Sequence, residues 1–225
     1  MDIFDAVASR YSCRAYLDKP VPEAIVRDIV ERAARAPSGG NVQPWRVHVL
    51  AGKRLEALGD IVRARLDELP RIEGAEYDIY PRDLKEPYES RRHHAGVMLY
   101  QSLGVTREDR AGRYRQYARN FLFYDAPVGL FFSIDRGMGP PQWSDLGGFI
   151  QTVMLLARDH GLHSCAQEAW THWHKTLPPF LGLSPKYIVF CGMALGYEDP
   201  DAPINGWRSP RAALDEFASF DGFES

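Results

Sequence analysis

Ala36-Pro37-Ser38-Gly39-Gly40-Asn41-Val42-Gln43-Pro44-Trp45 separates a helical pattern from a strand pattern. Before it, Ile25, Ile29, Val30 and Ala33 recur at helical spacing from a start near Pro22, with Glu23 in the first turn. That helix runs to Ala36, and Pro37 stops it. After it, Trp45–Leu50 alternates as a strand does. The two glycines allow close backbone approach to a planar ligand, and Asn41 and Gln43 carry amides that read polar ring edges. The same residues also fit a tight helix-to-strand turn with a packed Trp.

Working outward, Ile3, Phe4, Val7 and Ala8 predict a short helix ending near Arg10. Lys53–Leu69 reads as a helix with Leu55, Leu58, Ile61, Val62, Leu66 and Leu69 on one face. From Pro70 to Pro87 the period fails, and this polar stretch with Tyr77, Tyr80 and then Tyr88 reads as an ordered lid. Helical spacing resumes over Glu89–Leu103 and Arg107–Asn120. Val128–Ile134 and Tyr187–Leu195 are buried strands. Between them, Asp145–His160 is an apolar helix closed by Gly161 and Leu162, and Arg211–Phe217 is a last helical turn. Strands and helices do not alternate one for one, so the expected class is α+β.

The 225 residues suit one domain over 1–225 with a variable lid near 70–92. Apolar residues at 45% and charged residues at 25% are ordinary globular values. A net charge of −3 argues against a nucleic-acid or anionic-membrane binder. Cys13, Cys165 and Cys191 show no C-x-x-C spacing and read as reduced thiols. Asp2, Asp5, Arg10, Arg14 and Asp18 interrupt any signal-peptide run, and no stretch is long and apolar enough to span a bilayer. The expected location is the cytoplasm.

Several chemistries lack their signatures. There is no G-x-G-x-x-G after a strand, no phosphate loop of the G-x-x-x-x-G-K-[ST] type and no G-x-S-x-G elbow. His93 and His94 point about 100° apart on one helix, and Cys165, His172 and His174 match no zinc spacing, so no metal is expected. Arg10-Tyr11-Ser12-Cys13-Arg14 is more informative. In an extended segment its two guanidinium groups and the Ser12 hydroxyl face one way, which suits a phosphate; a solvated basic turn is the plainer alternative. Asn205-Gly206-Trp207-Arg208-Ser209-Pro210-Arg211 adds late arginines in an exposed Pro/Gly segment.

Taken in order, these segments resemble the FMN-dependent nitroreductase family over nearly the whole chain. The resemblance rests on R-x-S-x-R at 10–14 and A-P-S-x-x-N-x-Q-P-W at 36–45, then Gly161–Cys165. It closes on Gly192–Tyr197 and the R-x-P at Arg208–Pro210. It implies a mostly antiparallel sheet wrapped by helices in an intertwined homodimer. It implies that Arg10, Ser12, Arg14 and Arg208 hold the FMN phosphate and ribityl chain, and that Pro37, Ser38, Gly39 and Asn41 reach the partner's flavin. It places backbone N–H groups of Ala166, Gln167 and Glu168 against the reactive flavin edge. Gly206 and Trp207 stand where family members often carry a second basic residue, and Arg211 is the expected substitute.

The implied activity is transfer of hydride from NADPH or NADH through FMN to a nitroaromatic, with the flavin carrying the redox chemistry. Alternatives are reductive dehalogenation, alkene reduction or flavin binding without turnover. Tyr88 with Arg91 and Arg92 suggests a carboxylated ring such as a nitrobenzoate, one arginine holding the carboxylate while Tyr88 packs on the ring. The tail of the sequence is also similar to the 4-nitrobenzoate reductase branch.

Overall fold

A computed structural model describes every residue except Arg71, Glu224 and Ser225. Its helices are α1 (Ile3–Ser9), α2 (Glu23–Ala33), α3 (Gly52–Arg63), α4 (Tyr88–Ser102), α5 (Arg110–Ala118), α6 (Pro140–Asp159) and α7 (Leu177–Leu181). Its strands are β1 (Arg46–Ala51), β2 (Val128–Asp135), β3 (His163–Gln167) and β4 (Tyr187–Gly196). The strands form one sheet in the order β1-β2-β4-β3, antiparallel at every step. This is the α+β class expected.

Both faces of the sheet are covered. Along β2, Leu130, Phe132 and Ile134 enter a core with Ile29 of α2 and Leu146, Phe149 and Val153 of α6. Phe131 enters the opposite core, with Phe121, Phe123, Trp170 and Trp173. Adjacent residues thus serve opposite layers, as the pleat requires, and β2 and β4 therefore read as continuous apolar runs. Gly192 of β4 is required by close approach: a Cβ there would lie 2.3 Å from Cδ1 of Trp170.

Several boundaries differ from expectation. α6 begins at Pro140, because prolines in a first helical turn sacrifice no intrahelical hydrogen bond. α2 ends at Ala33 and continues only as a turn to Ala36. The predicted helix to Leu69 stops at Arg63, followed by a 3₁₀ turn at Leu66–Glu68. The last predicted helical turn is a 3₁₀ turn at Leu214–Glu216.

The segment 70–87 has no regular helix or strand among its described residues, but its first part is fixed. The Glu73 carboxylate accepts from Arg65, from the Thr176 hydroxyl and from the backbone N–H of Lys175. Tyr77 stacks on Phe190 at 6.0 Å. Residues 88–92, expected within the lid, form the first turn and more of α4.

Candidate anion and cofactor site

The Asp2 side chain caps α1, accepting from the Asp5 N–H at 2.8 Å. The helix ends at Arg10, whose backbone is extended. The chain then runs beside β3: Ser12 forms a parallel bridge with Ser164, and the Cys13 N–H donates to the Ser164 carbonyl at 3.1 Å. The strand that carries Ala166 and Gln167 therefore also anchors the R-x-S-x-R segment.

Asn205 ties this segment to the C-terminal arginines. Its Oδ1 accepts from the Arg14 N–H at 2.9 Å, and its Nδ2 donates to the carbonyls of Ala15 and Asp199, each at 2.9 Å. Arg208 Nη1 donates to the Asn205 carbonyl at 2.7 Å. Arg211 Nη1 donates to the carbonyls of Ser209 and Pro210. The result is a cavity of about 480 Å³ lined by Arg10, Ser12, Arg14, Gln151, Arg208 and Arg211. Two segments nearly two hundred residues apart meet here.

No carboxylate forms an ion pair with any of these four arginines among the described residues. Burial, followed by the nearby Arg211 guanidinium, pulls the Arg10 pKa below its usual value. A cluster of like charges in a half-buried cavity is unfavourable until an anion enters. A phosphate monoester carries about −1.5 to −2 charges and three strong acceptor oxygens, which fits this donor set.

Behind the cavity lies a second polar layer that the sequence did not signal. The buried Tyr11 hydroxyl donates to Glu198, and burial together with that bond pushes its pKa well up. His163 Nδ1 lies 3.0 Å from Arg158 Nη1 and accepts from it, so the neutral ring carries its proton on Nε2, 3.5 Å from Glu198. Burial and the adjacent Arg158 charge lower the His163 pKa to about 4.

Ala166, Gln167 and Glu168 lie at the end of β3, with Ala166 half-buried, Gln167 buried and Glu168 exposed. From Ser164 to Gln167 the strand advances about 10 Å at its usual rise, a span that separates the arginine end from this edge. Gln167 Nε2 donates to the Asn120 carbonyl at 2.6 Å, while its buried Oε1 has no partner. A donor on a bound group would satisfy that oxygen.

The Pro37–Asn41 loop contributes nothing to the arginine cavity. Pro37, Gly39 and Asn41 are exposed, and the Gly39 N–H donates to Asp145 on α6 at 3.2 Å. Ser38 Oγ accepts from the Gln43 N–H, and Gly40, Asn41 and Gln43 all take left-handed backbone. Trp45 stacks on Phe149 at 4.9 Å. The loop is a shaped, outward-facing surface.

The three substrate candidates lie outside the arginine cavity. Tyr88 is exposed at the start of α4. Arg91 pairs with Glu216 at 2.9 Å and lines a neighbouring cavity of about 750 Å³ with Ser209, Pro210 and Arg211. Arg92 turns the other way, its Cζ 4.1 Å from the Tyr80 ring centroid. Arg211 thus borders both cavities.

Comparison with known proteins shows the family and the fold. A family model described as the Nitroreductase family matches residues 7–197. The chain is 38% identical over 224 residues to a 4-nitrobenzoate reductase of Pseudomonas putida, covering 99% of this chain and 97% of that one. Its fold is similar to the FMN- and NADPH-dependent nitroreductase NfnB of Sphigopyxis sp. strain HMH, with a TM-score of 0.96 and 47% identity over 99% and 100% of the two chains. It is similar also to the FMN-dependent nitroreductase NfnB of Mycobacterium smegmatis solved with NADPH, with a TM-score of 0.92 and 28% identity over 97% of each chain. On the motifs, the sheet order and the whole-length match, this chain belongs to the nitroreductase family.

Proposed function

We propose that the protein is an FMN-dependent oxidoreductase that passes hydride from NADPH or NADH to a nitroaromatic acceptor. The observation that carries this is the cavity in which Arg10, Arg14, Arg208 and Arg211 converge without a carboxylate among the described residues. Bound FMN would supply the two-electron chemistry. Arg10, Ser12, Arg14, Arg208 and Arg211 hold its phosphate, each charge-assisted bond contributing about 1.5–3 kcal/mol before desolvation. Ala166, Gln167 and Glu168 present backbone and amide groups to the ring edge.

The functional unit in this reading is a homodimer, with the Pro37, Ser38, Gly39 and Asn41 loop serving the partner's flavin. Support comes from the apolar surface of one chain. Ile3, Phe4 and Val7 of α1 are exposed, as are Phe217, Phe220 and Phe223, and α4 buries no side chain. Three buried, unpaired thiols suit a reducing compartment, the cytoplasm. No described helix is long and apolar enough to cross a membrane.

The acceptor in this reading is a nitrobenzoate, with Tyr88 against the ring and Arg91 on the carboxylate. Arg91 is preferred to Arg92 because its cavity borders Arg211. Anaerobic mixing of the purified yellow protein with NADPH tests the whole reading. Bleaching within seconds, followed by recovery of colour on adding 4-nitrobenzoate, is expected. A flavin that stays oxidised with both NADPH and NADH would overturn it.

A further inference from the structure

A second basic cavity lies on the far side of α4 from the first. It measures about 830 Å³, and its lining includes Arg92, His93, Tyr100, Arg107 and Arg113 together with one carboxylate, Glu89. Residues 89–120 carry seven arginines against three carboxylates, in a chain whose net charge is −3. Among the described residues, none of Arg92, Arg107 and Arg113 pairs with a carboxylate. By contrast Arg27, Arg32, Arg63, Arg65 and Arg136 all do.

Two of the guanidinium groups are already oriented. Arg92 lies over Tyr80 and Arg113 lies over Tyr100, with Cζ 4.1 Å and 3.9 Å from the ring centroids. Stacking fixes the plane of a guanidinium and leaves its N–H fork free for a bidentate acceptor. The ordering entropy is thus partly met before a ligand arrives. A dianion with three terminal oxygens, such as a phosphate monoester, fits three guanidinium groups.

Location narrows the choice of anion. Arg91 and Arg92 differ by about 100° around α4, and Arg91 faces the cavity bordered by Arg211. The Arg92 cavity therefore lies on the opposite side of α4 from the cavity bordered by Arg211, and a helix is about 10–12 Å across with its side chains. A dinucleotide whose nicotinamide meets the flavin ring extends its adenosine end away from that ring.

We propose that Arg92, Arg107 and Arg113 bind the 2′-phosphate of NADPH and make the enzyme select NADPH over NADH. This rests on the reading that a nicotinamide dinucleotide is the electron donor. The 2′-phosphate is the one dianionic monoester that distinguishes the two donors, and NADH offers these arginines nothing equivalent.

Calorimetry on the FMN-loaded protein with adenosine 2′-monophosphate and adenosine 5′-monophosphate tests the site without turnover. The 2′-phosphate compound should bind at least about 10-fold more tightly, the range one charge-assisted pair provides. Arg107→Gln and Arg113→Gln should each erase most of that preference. In steady state, each should lower the ratio of kcat/KM for NADPH to that for NADH by about 10- to 100-fold. Arg107 is exposed, so its replacement keeps the test valid if the Arg113 variant misfolds. Equal binding of the two nucleotides, or an unchanged donor ratio in the Arg107 variant, overturns the proposal. A retained 2′-phosphate preference in a protein that neither donor reduces would support this site while overturning the proposed activity.

Discussion

The Arg208 guanidinium lies over the Tyr11 ring, its Cζ 3.6 Å from the ring centroid. The Tyr11 hydroxyl is fixed in turn by Glu198. The stack and the carbonyls of Asn205 and Trp207 orient Arg208 without neutralising it, so its charge remains available to a phosphate. Arg208→Ala or Arg14→Ala should raise the Kd for FMN about 10- to 100-fold, the loss of one charge-assisted pair. Tyr11→Phe keeps the ring and loses only the link to Glu198, so it should weaken FMN less than either. Flavin fluorescence after dialysis measures all three. Stoichiometric FMN in both arginine variants would show that the phosphate lies elsewhere.

Much of this site was legible because arginines at alternate positions and a late R-x-P are local patterns. Asn205 and Glu198 were not legible as site residues. Each is one polar residue without periodicity, and its partner lies 191 or 187 positions away. The fold shows the same division. β2 and β4 stood out as apolar runs because both of their faces are buried, whereas β3 hides behind buried His163, Ser164 and Gln167. Its strand character comes from pairing with β4, and no propensity within five residues announces that.

Arg91 and Glu216 form an exposed pair, with side chains 45% and 51% accessible. Such pairs contribute about 0–1 kcal/mol, so Arg91 can exchange Glu216 for a substrate carboxylate at little cost. Arg91→Ala should raise the KM for 4-nitrobenzoate about 10- to 100-fold and leave that for uncharged nitrobenzene nearly unchanged. FMN content should not move. Equal losses on both substrates would show that Arg91 only supports the start of α4.

Light scattering should give twice the chain mass, because α1 turns Ile3, Phe4 and Val7 outward. Replacing Ile3 and Phe4 together by Ser should separate the subunits and release FMN in the same concentration range. A monomer that keeps its flavin and its activity would remove the partner loop from the site.

Gly192 gives a test of the fold apart from the chemistry. Trp170 occupies the space where a Cβ would stand, and Trp170 is itself enclosed by Phe121, Phe123 and Phe131. Nothing there has room to move. Gly192→Ala should cost roughly 1–3 kcal/mol through overpacking, lowering the melting temperature by several degrees at this chain length. An unchanged melting curve would mean that the aromatic cluster is looser than its geometry indicates.

The pH dependence of stability follows from His163. In the unfolded chain its pKa is about 6.5, whereas burial and the charge of Arg158 lower it to about 4 in the fold. Arg208 also opposes its protonation, and only Glu198 favours it. The unfolded state therefore binds more protons between these two values, and stability falls as pH drops through that window. Above pH 6.5 the contribution is fully present. Carboxylates held low by their partners, such as Asp28, Glu68 and Asp159, lose their contribution mainly below about pH 4. Over the interval from 6.5 to 4.5 His163 acts together with His48 and His172, whose pKa values burial also lowers, and replacing His163 alone separates its share. His163→Gln retains an acceptor for Arg158 and cannot titrate, so its melting temperature should change less over that interval than the wild type's. Parallel curves for the two proteins would show that His163 is not the group whose protonation loosens this layer behind the arginines.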